Sequence, residues 1–278
     1  MVTFSAFADE ISPDLDQQMD ACEANGVKCI DVRGIDNKNV SAMTLAEVKA
    51  YKSRLDDRGF SVPCIGSPIG KITIDDDFGK HIDLLKHCIE IAHAFDTKRI
   101  RMFSFYPSAG KSIADQRDAV MERMQKMVDI AEAGDAVLYH ENEKAIYGAV
   151  PSRVKDIFAT IKSSRLKGIF DPANYVEEGI APYDEGWAQG LAELTDYMHI
   201  KDKVTGTDAC SPAGQGEGQF SEIFADLAKR NYAGHMTLEP HLAAADQFSG
   251  FTGPDLFKTA CDALKAVCDE AGLAYDAG

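Results

Sequence analysis

The stretch Ala136-Val137-Leu138-Tyr139-His140-Glu141-Asn142-Glu143 decides how the rest of the chain is read. Four apolar or aromatic residues in succession read as a strand covered on both faces, and the run breaks off in acid. The same pattern recurs downstream. Residues 166–170 run into Asp171-Pro172-Ala173-Asn174. Residues 196–200 contain His199-Ile200 and continue into Lys201-Asp202, and 234–239 end in Thr237-Leu238-Glu239 before Pro240-His241.

Upstream, further β-rich segments fall at 3–8, 27–32, 61–65 and 99–103, which with 136–141 gives eight candidates roughly 25–40 residues apart. The residues between them carry helical apolar spacing, as in Ile82, Leu85, Ile89 and Ala92, or Val120, Met124, Met127 and Ala131. Helix starts are expected at Ser12-Pro13, at Thr44 with Glu47 three residues on, at Ser112 and at Ser221; left-handed helix ends are expected at Gly26, Gly59 and Gly134. No linker or composition shift interrupts the series. The expected fold is α/β, a single (β/α)8 TIM barrel over 1–278. A doubly wound sheet would want a glycine-rich turn after the first strand, and Phe7-Ala8-Asp9-Glu10 offers none. The long stretch 203–219 after the seventh strand reads as a functional loop.

Bulk properties narrow the function. A net charge of −16 repels phosphate backbones and anionic headgroups, so neither nucleic acid nor a membrane is expected as partner, while a small anionic substrate stays open. No run of about 18 apolar residues occurs, and Met1-Val2-Thr3-Phe4-Ser5 lacks the basic start of a signal peptide, so a cytoplasmic location is expected. Seven scattered cysteines without a C-x-x-C pair read as core thiols; Cys261 and Cys268 share one helix face.

In a barrel of this kind chemistry gathers at the C-terminal ends of strands. There the fifth to eighth candidates place Glu141, Asp171, His199 and Glu239, at intervals of 30, 28 and 40 residues. Three carboxylates and an imidazole form a hard to borderline donor set: Mn2+ is the ion expected, with Mg2+, Co2+ or Zn2+ as alternatives. Each residue also has a plainer reading. Asp171 can cap the helix that starts at Pro172, His199 can be a hydrogen-bonded strand histidine, and the glutamates can mark strand exits. Four coincidences at four successive strand ends weigh toward a metal centre. Substrate contacts are expected from Arg33, Ser67, Lys71, Arg101, Asn174 and Lys201, and Glu10 and Ser104 lie at further strand ends. Arg33 either binds an anion or pairs with Asp31. Trp187 either walls the pocket or packs in the core. Pro240 is expected to turn His241 away, and His81, His87 and His93 read as surface residues.

The segments Leu138-Tyr139-His140-Glu141-Asn142-Glu143, Phe170-Asp171-Pro172-Ala173-Asn174 and His199-Ile200-Lys201-Asp202 together resemble the xylose isomerase-like TIM-barrel superfamily, the sugar phosphate isomerase/epimerase group. The resemblance runs from Phe7 to Pro240. It implies metal ligands at Glu141, Asp171, His199 and Glu239. It also implies proton transfer through an enediolate of a sugar or keto-polyol, with Glu141 and Glu239 as the catalytic pair on opposite faces of one carbon. Epimerase relatives often carry His where this chain has Asn174, which bears on the reaction performed. Three other activities compete: a metal-dependent dehydratase or lyase on a keto-inositol-like substrate, a non-catalytic sugar-binding barrel, and an AP endonuclease. Seven histidines and the acidic charge speak against the last. Relatives suggest a homodimer or homotetramer.

Overall fold

Strand-forming runs alternate with amphipathic helices along the whole chain, and parallel strands joined by helices must place those helices on one outer face. The computed structural model describes residues 1–243 and 252–276. Eight parallel strands, β1 (Val2–Ala6), β2 (Cys29–Ile30), β3 (Ile65–Ile69), β4 (Arg99–Met102), β5 (Val137–Glu141), β6 (Leu166–Phe170), β7 (Thr195–Ile200) and β8 (His235–Leu238), alternate with α1 (Leu15–Ala24), α2 (Leu45–Asp57), α3 (Phe78–Ala94), α4 (Arg117–Ala133), α5 (Pro151–Thr160), α6 (Pro172–Glu177), α7 (Phe220–Lys229) and α8 (Gly253–Ala271). Pairing runs from β3 through β8 to β1 and β2. Single parallel bridges, Cys29 to Ser61 and Val32 to Ile65, join the β2 and β3 segments and close the ring. The TIM barrel expected from the sequence is the fold observed.

The main core lies between strands and helices, where Phe4, Ile100, Leu138, Met198 and Met236 meet Leu85, Met124 and Leu264. A smaller cluster of Cys64, Tyr139, Ile169 and Tyr197 fills the interior of the ring. Beside it the buried Asp31 carboxylate accepts hydrogen bonds from Ser5 (2.9 Å), Tyr197 (2.8 Å) and Thr237 (2.7 Å). A buried charge is tolerated only when hydrogen-bonded, and three hydroxyls supply that here.

Several local expectations shift. β3 begins at Ile65, where the expected segment 61–65 ends, because Pro63 has no N–H to donate to a ladder and only Ser61 bridges. Its Gly66 and Pro68 look like breakers in sequence, yet Gly66 is a point of close approach: a Cβ there would sit 2.7 Å from the Phe7 ring. Asp14, not Ser12, caps α1, since Pro13 precedes the first turn and the Asp14 carboxylate accepts from Gln17 N. Thr44 and Glu47 form the expected capping box. Ser112 caps a short turn, whereas Ser221 lies inside α7, which starts from a left-handed Gln219. Gly26 and Gly59 are left-handed as expected; after α4 that role falls to Asp135 (φ 52°), not Gly134.

All seven cysteines are free thiols. Trp187 is a core residue, its indole N–H donating to Asp226 (2.7 Å). Among the described residues no helix is long and apolar enough to cross a membrane.

His81 is buried, not exposed, because its Nε2 accepts from Gly70 N (2.8 Å). His87 and His93 bond the carbonyls of Met43 and Asp135 at the margins. Burial pushes His81 down to about 4 from its ordinary 6.5. The unfolded chain therefore takes up a proton that the fold refuses, and stability falls as pH drops from 6.5 toward 4. His81→Gln keeps an acceptor that does not titrate; the decline of Tm over that range should become shallower than in the wild type, measured by calorimetry. An unchanged slope would remove His81 as its cause.

Candidate metal centre

Residues two apart on a strand share a face. Two positions beyond Ser5, Asp31, Tyr139, Ile169, Tyr197 and Thr237 therefore lie Phe7, Arg33, Glu141, Asp171, His199 and Glu239, one layer nearer the C-terminal mouth. Glu141, Asp171, His199 and Glu239 are all buried, and each offers a ligand atom within 4.8 Å of the others. His199 Nδ1 stands 3.0 Å from Glu141 Oε1 and 3.3 Å from Glu239 Oε2, with its ring edge-on to Phe7. Asp171 takes its plainer reading, helix cap, with one oxygen and turns the other toward the cluster. Oδ1 caps α6 by accepting from Asn174 N (3.1 Å), and Oδ2 turns to Lys201 Nζ (2.8 Å).

Each carboxylate of the cluster has its own cation. Arg101 meets Glu141 (3.1 Å), Arg33 meets Glu239 (3.1 Å), and Lys201 meets Asp171. Asp9 and Glu10 also contact Arg33, at 2.8 and 3.3 Å. Five carboxylates thus share three permanent cations, and the balance falls to protons on His199 and His241. Asp171 Oδ2 and Glu239 Oε2 are buried and face only ion-pair neighbours, Lys201 and His199, without a well-aligned hydrogen bond. A divalent ion could replace those protons, and the four buried donor atoms within 4.8 Å of one another would suit it, so the residues present fit such an ion.

The titration behaviour follows from the same neighbours. Burial raises Glu141, but His199 and Arg101 outweigh it and hold the group at about 2. Glu239 is likewise pulled well below the usual range, against burial, by Lys201 and the nearby imidazoles. Burial lifts Asp171 to about 7 in spite of Lys201. Burial would lower His199, yet Glu141 and Glu239 raise it to about 9.

Above the cluster opens a cleft of about 810 Å3 whose walls include Arg33, Lys71, Arg101, Asn174 and Lys201. Lys71 pairs with Glu143 (2.9 Å) and lies over the Phe103 ring (4.3 Å). Ser67 is not in the wall: it is buried, and its hydroxyl donates to the Arg101 carbonyl. Ser104 is engaged by His140 (2.9 Å) and Gly148 N (2.7 Å). Arg33 does not pair with Asp31, which the hydroxyl network below holds. His241 does face the site, 3.0 Å from Glu10 and 3.7 Å from Glu239, because its left-handed backbone (φ 43°) reverses the turn expected of Pro240.

Two residues unassigned in sequence support the site. Asn142 exchanges hydrogen bonds with the Asp171 backbone (both 2.9 Å), and its own carbonyl accepts from Asn174 Nδ2 (2.8 Å), which locks the ends of β5 and β6 together. The Asp202 carboxylate accepts from the backbone N–H groups of Lys203 (2.8 Å), Gly214 (2.9 Å), Gly216 (2.9 Å) and Gly218 (2.8 Å). That clasp folds the long loop 203–219 so that Lys203, Asp208 and Cys210 line the cleft. A Cβ on Gly216 would come within 2.4 Å of Asp202 Oδ1. The three alternate glycines were the available signal.

A family model described as Xylose isomerase-like TIM barrel matches residues 19–267. Solved structures share the fold at low identity. The probable 3-DHS dehydratase AsbF from Bacillus anthracis is 17% identical with a TM-score of 0.74 over 95% of this chain and 99% of that one. L-ribulose 3-epimerase is 16% identical, TM-score 0.72, over 98% and 95%. The IOLI protein, solved with a zinc atom, is 13% identical, TM-score 0.75, over 98% and 99%. No curated protein matches the chain in sequence.

With His199 at about 9 and Asp171 at about 7, the cluster stripped of metal would carry at least one proton at neutral pH that an incoming cation must displace. Titration of chelator-stripped protein with Mn2+ should therefore release about one proton or more per ion, and affinity should rise with pH until His199 is deprotonated. Calorimetry in two buffers of different ionisation enthalpy reads both. Proton-neutral uptake would exclude His199 as a ligand.

Proposed function

Because the chain belongs to the xylose isomerase-like TIM-barrel family, we propose that it is a metal-dependent isomerase or epimerase that moves a proton next to the carbonyl of a sugar or keto-polyol. One observation carries this reading: two ionised glutamates, Glu141 from β5 and Glu239 from β8, flank His199 beneath a single cleft that Glu239 lines. Glu141, Asp171, His199 and Glu239 would hold a divalent ion, Mn2+ in the first instance, which when bound would supply Lewis acidity at the carbonyl.

The remaining work falls to the chain. One glutamate takes the proton from carbon and the other returns one to the opposite face, which epimerisation requires; an aldose–ketose isomerisation uses a single base. The enediolate charge develops among Arg33, Arg101 and Lys201, fixed cations already oriented by their carboxylate partners, so little reorganisation is needed. Asn174, whose side-chain amide donates to the Asn142 carbonyl, presents a polar wall to a substrate hydroxyl but does not exchange protons near neutrality. Lys71 stands nearer the mouth, where an outlying oxygen of the substrate would lie.

One feature favours a second reading. The buried Lys201 ammonium lines the cleft beside Asp171, placed to protonate a departing hydroxyl. The same carbanion chemistry would then end in dehydration of a keto-polyol, distinguished by loss of 18 mass units, roughly one water.

Ketoses and keto-inositols incubated with the Mn2+-loaded protein in D2O should gain solvent deuterium at the carbon next to the carbonyl. Glu239→Gln should lower that exchange by at least about a hundredfold and weaken ion binding, while circular dichroism stays that of the folded barrel. Exchange at the wild-type rate in the variant would overturn the role given to Glu239.

A further inference from the structure

Beside the four-residue cluster, three carboxylates converge on one guanidinium. Arg33 donates from Nε to Asp9 Oδ2 (2.8 Å), from Nη2 to Glu10 Oε1 (3.3 Å) and from Nη1 to Glu239 Oε1 (3.1 Å). Its guanidinium carbon lies over the Phe7 ring at 4.8 Å, which fixes the plane of the group. His241 Nε2 approaches the same two glutamates, Glu10 at 3.0 Å and Glu239 at 3.7 Å. Glu10, Glu239 and His241 bring ligand atoms within 4.8 Å of one another and so form a second donor set that shares Glu239 with the first.

The Glu239 carboxylate is divided between the two sets. Oε2 faces His199 and Lys201, whereas Oε1 faces Arg33 and His241. One oxygen per cation is how a carboxylate bridges paired metal ions, which in two-metal sites stand about 3.5–4 Å apart. Here the positive charge on the Oε1 side is a side chain. A guanidinium does not lose its proton and is tethered, so its charge persists at any ion concentration.

We propose that Arg33 is the resident second cation of this centre: it fills the place a second divalent ion would take on Glu10, Glu239 and His241, and thereby limits the chain to one ion. Removal of its charge takes away one of the three permanent cations shared by the five carboxylates and leaves Glu10 facing His241, and Glu239 facing His241, His199 and Lys201. A second divalent ion could then restore the lost charge and would find its donors in Glu10, Glu239 and His241. The inference rests on Glu141, Asp171, His199 and Glu239 holding the first ion.

Chelator-stripped protein exposed to excess Zn2+ and counted by native mass spectrometry tests it. The wild type should carry one ion, Arg33→Met two, and Arg33→Met combined with His241→Ala one. Arg33→Lys, which keeps the charge, should stay at one. Arg33→Gln serves as a second neutral variant should the methionine variant not fold, and circular dichroism restricts the count to folded protein. Neutral variants that hold no more ions than the wild type would overturn the proposal, as would two ions on the wild type. A wild type that holds none beside a neutral variant that holds one would leave the role of Arg33 standing and remove the four-residue centre.

Discussion

The pleat of a β-strand governs this molecule. Side chains two residues apart point the same way, and in a closed barrel one of those ways is the interior. Ser5, Asp31, Tyr197 and Thr237 form a hydrogen-bonded layer; two residues on, Phe7, Arg33, His199 and Glu239 form the next. The lower layer is neutral apart from Asp31 and fills the ring together with Cys64, Tyr139 and Ile169. The upper layer gathers nearly all the charge. A one-residue slip in any of β5 to β8 would send a ligand candidate into the apolar space beneath the helices, so the register that buries the core also assembles the site.

Charge is arranged there by pairing, not by exposure. Glu141, Asp171 and Glu239 are each met by a separate cation that projects from another strand or the chain just beyond it. Such pairs keep carboxylates buried that would otherwise take up protons, and Asp171, the one most isolated from water, is the one burial lifts to about 7. The cations do not fully balance the acids. Protons on His199 and His241 make up the balance, and four buried donor atoms drawn together there are what makes a divalent ion a natural occupant. It also means that the cations nearest the ligands are already aimed when negative charge develops in a substrate.

Outside the barrel, loops are held by single polar residues. Asn142 ties two strand ends through both of its amide functions, and Asp202 gathers four backbone N–H groups of the loop after β7. Groups donating to a buried carboxylate are stronger than neutral bonds, so one side chain can order a loop that has no helix or strand of its own. The His-Ile-Lys-Asp stretch therefore divides its work: His199 and Lys201 face the cluster, and Asp202 turns away to fold the wall of the cleft.

What the sequence alone determined were features with a period: eight strand segments, the helices between them, and the four residues at successive strand ends, because burial repeats every two residues in a strand and every three or four in a helix. It also contained the capping box at Thr44, a purely local device. Only the tertiary structure decided which cation meets which acid. Arg33 lies two residues from Asp31 yet turns to Asp9, Glu10 and Glu239, a partner 206 residues away. It likewise decided that His241 faces the site, that His81 is buried, and that Ser67 serves the backbone instead of the cleft. Those outcomes depend on distances across a closed ring, and a linear pattern holds no record of which strand ends become neighbours around it.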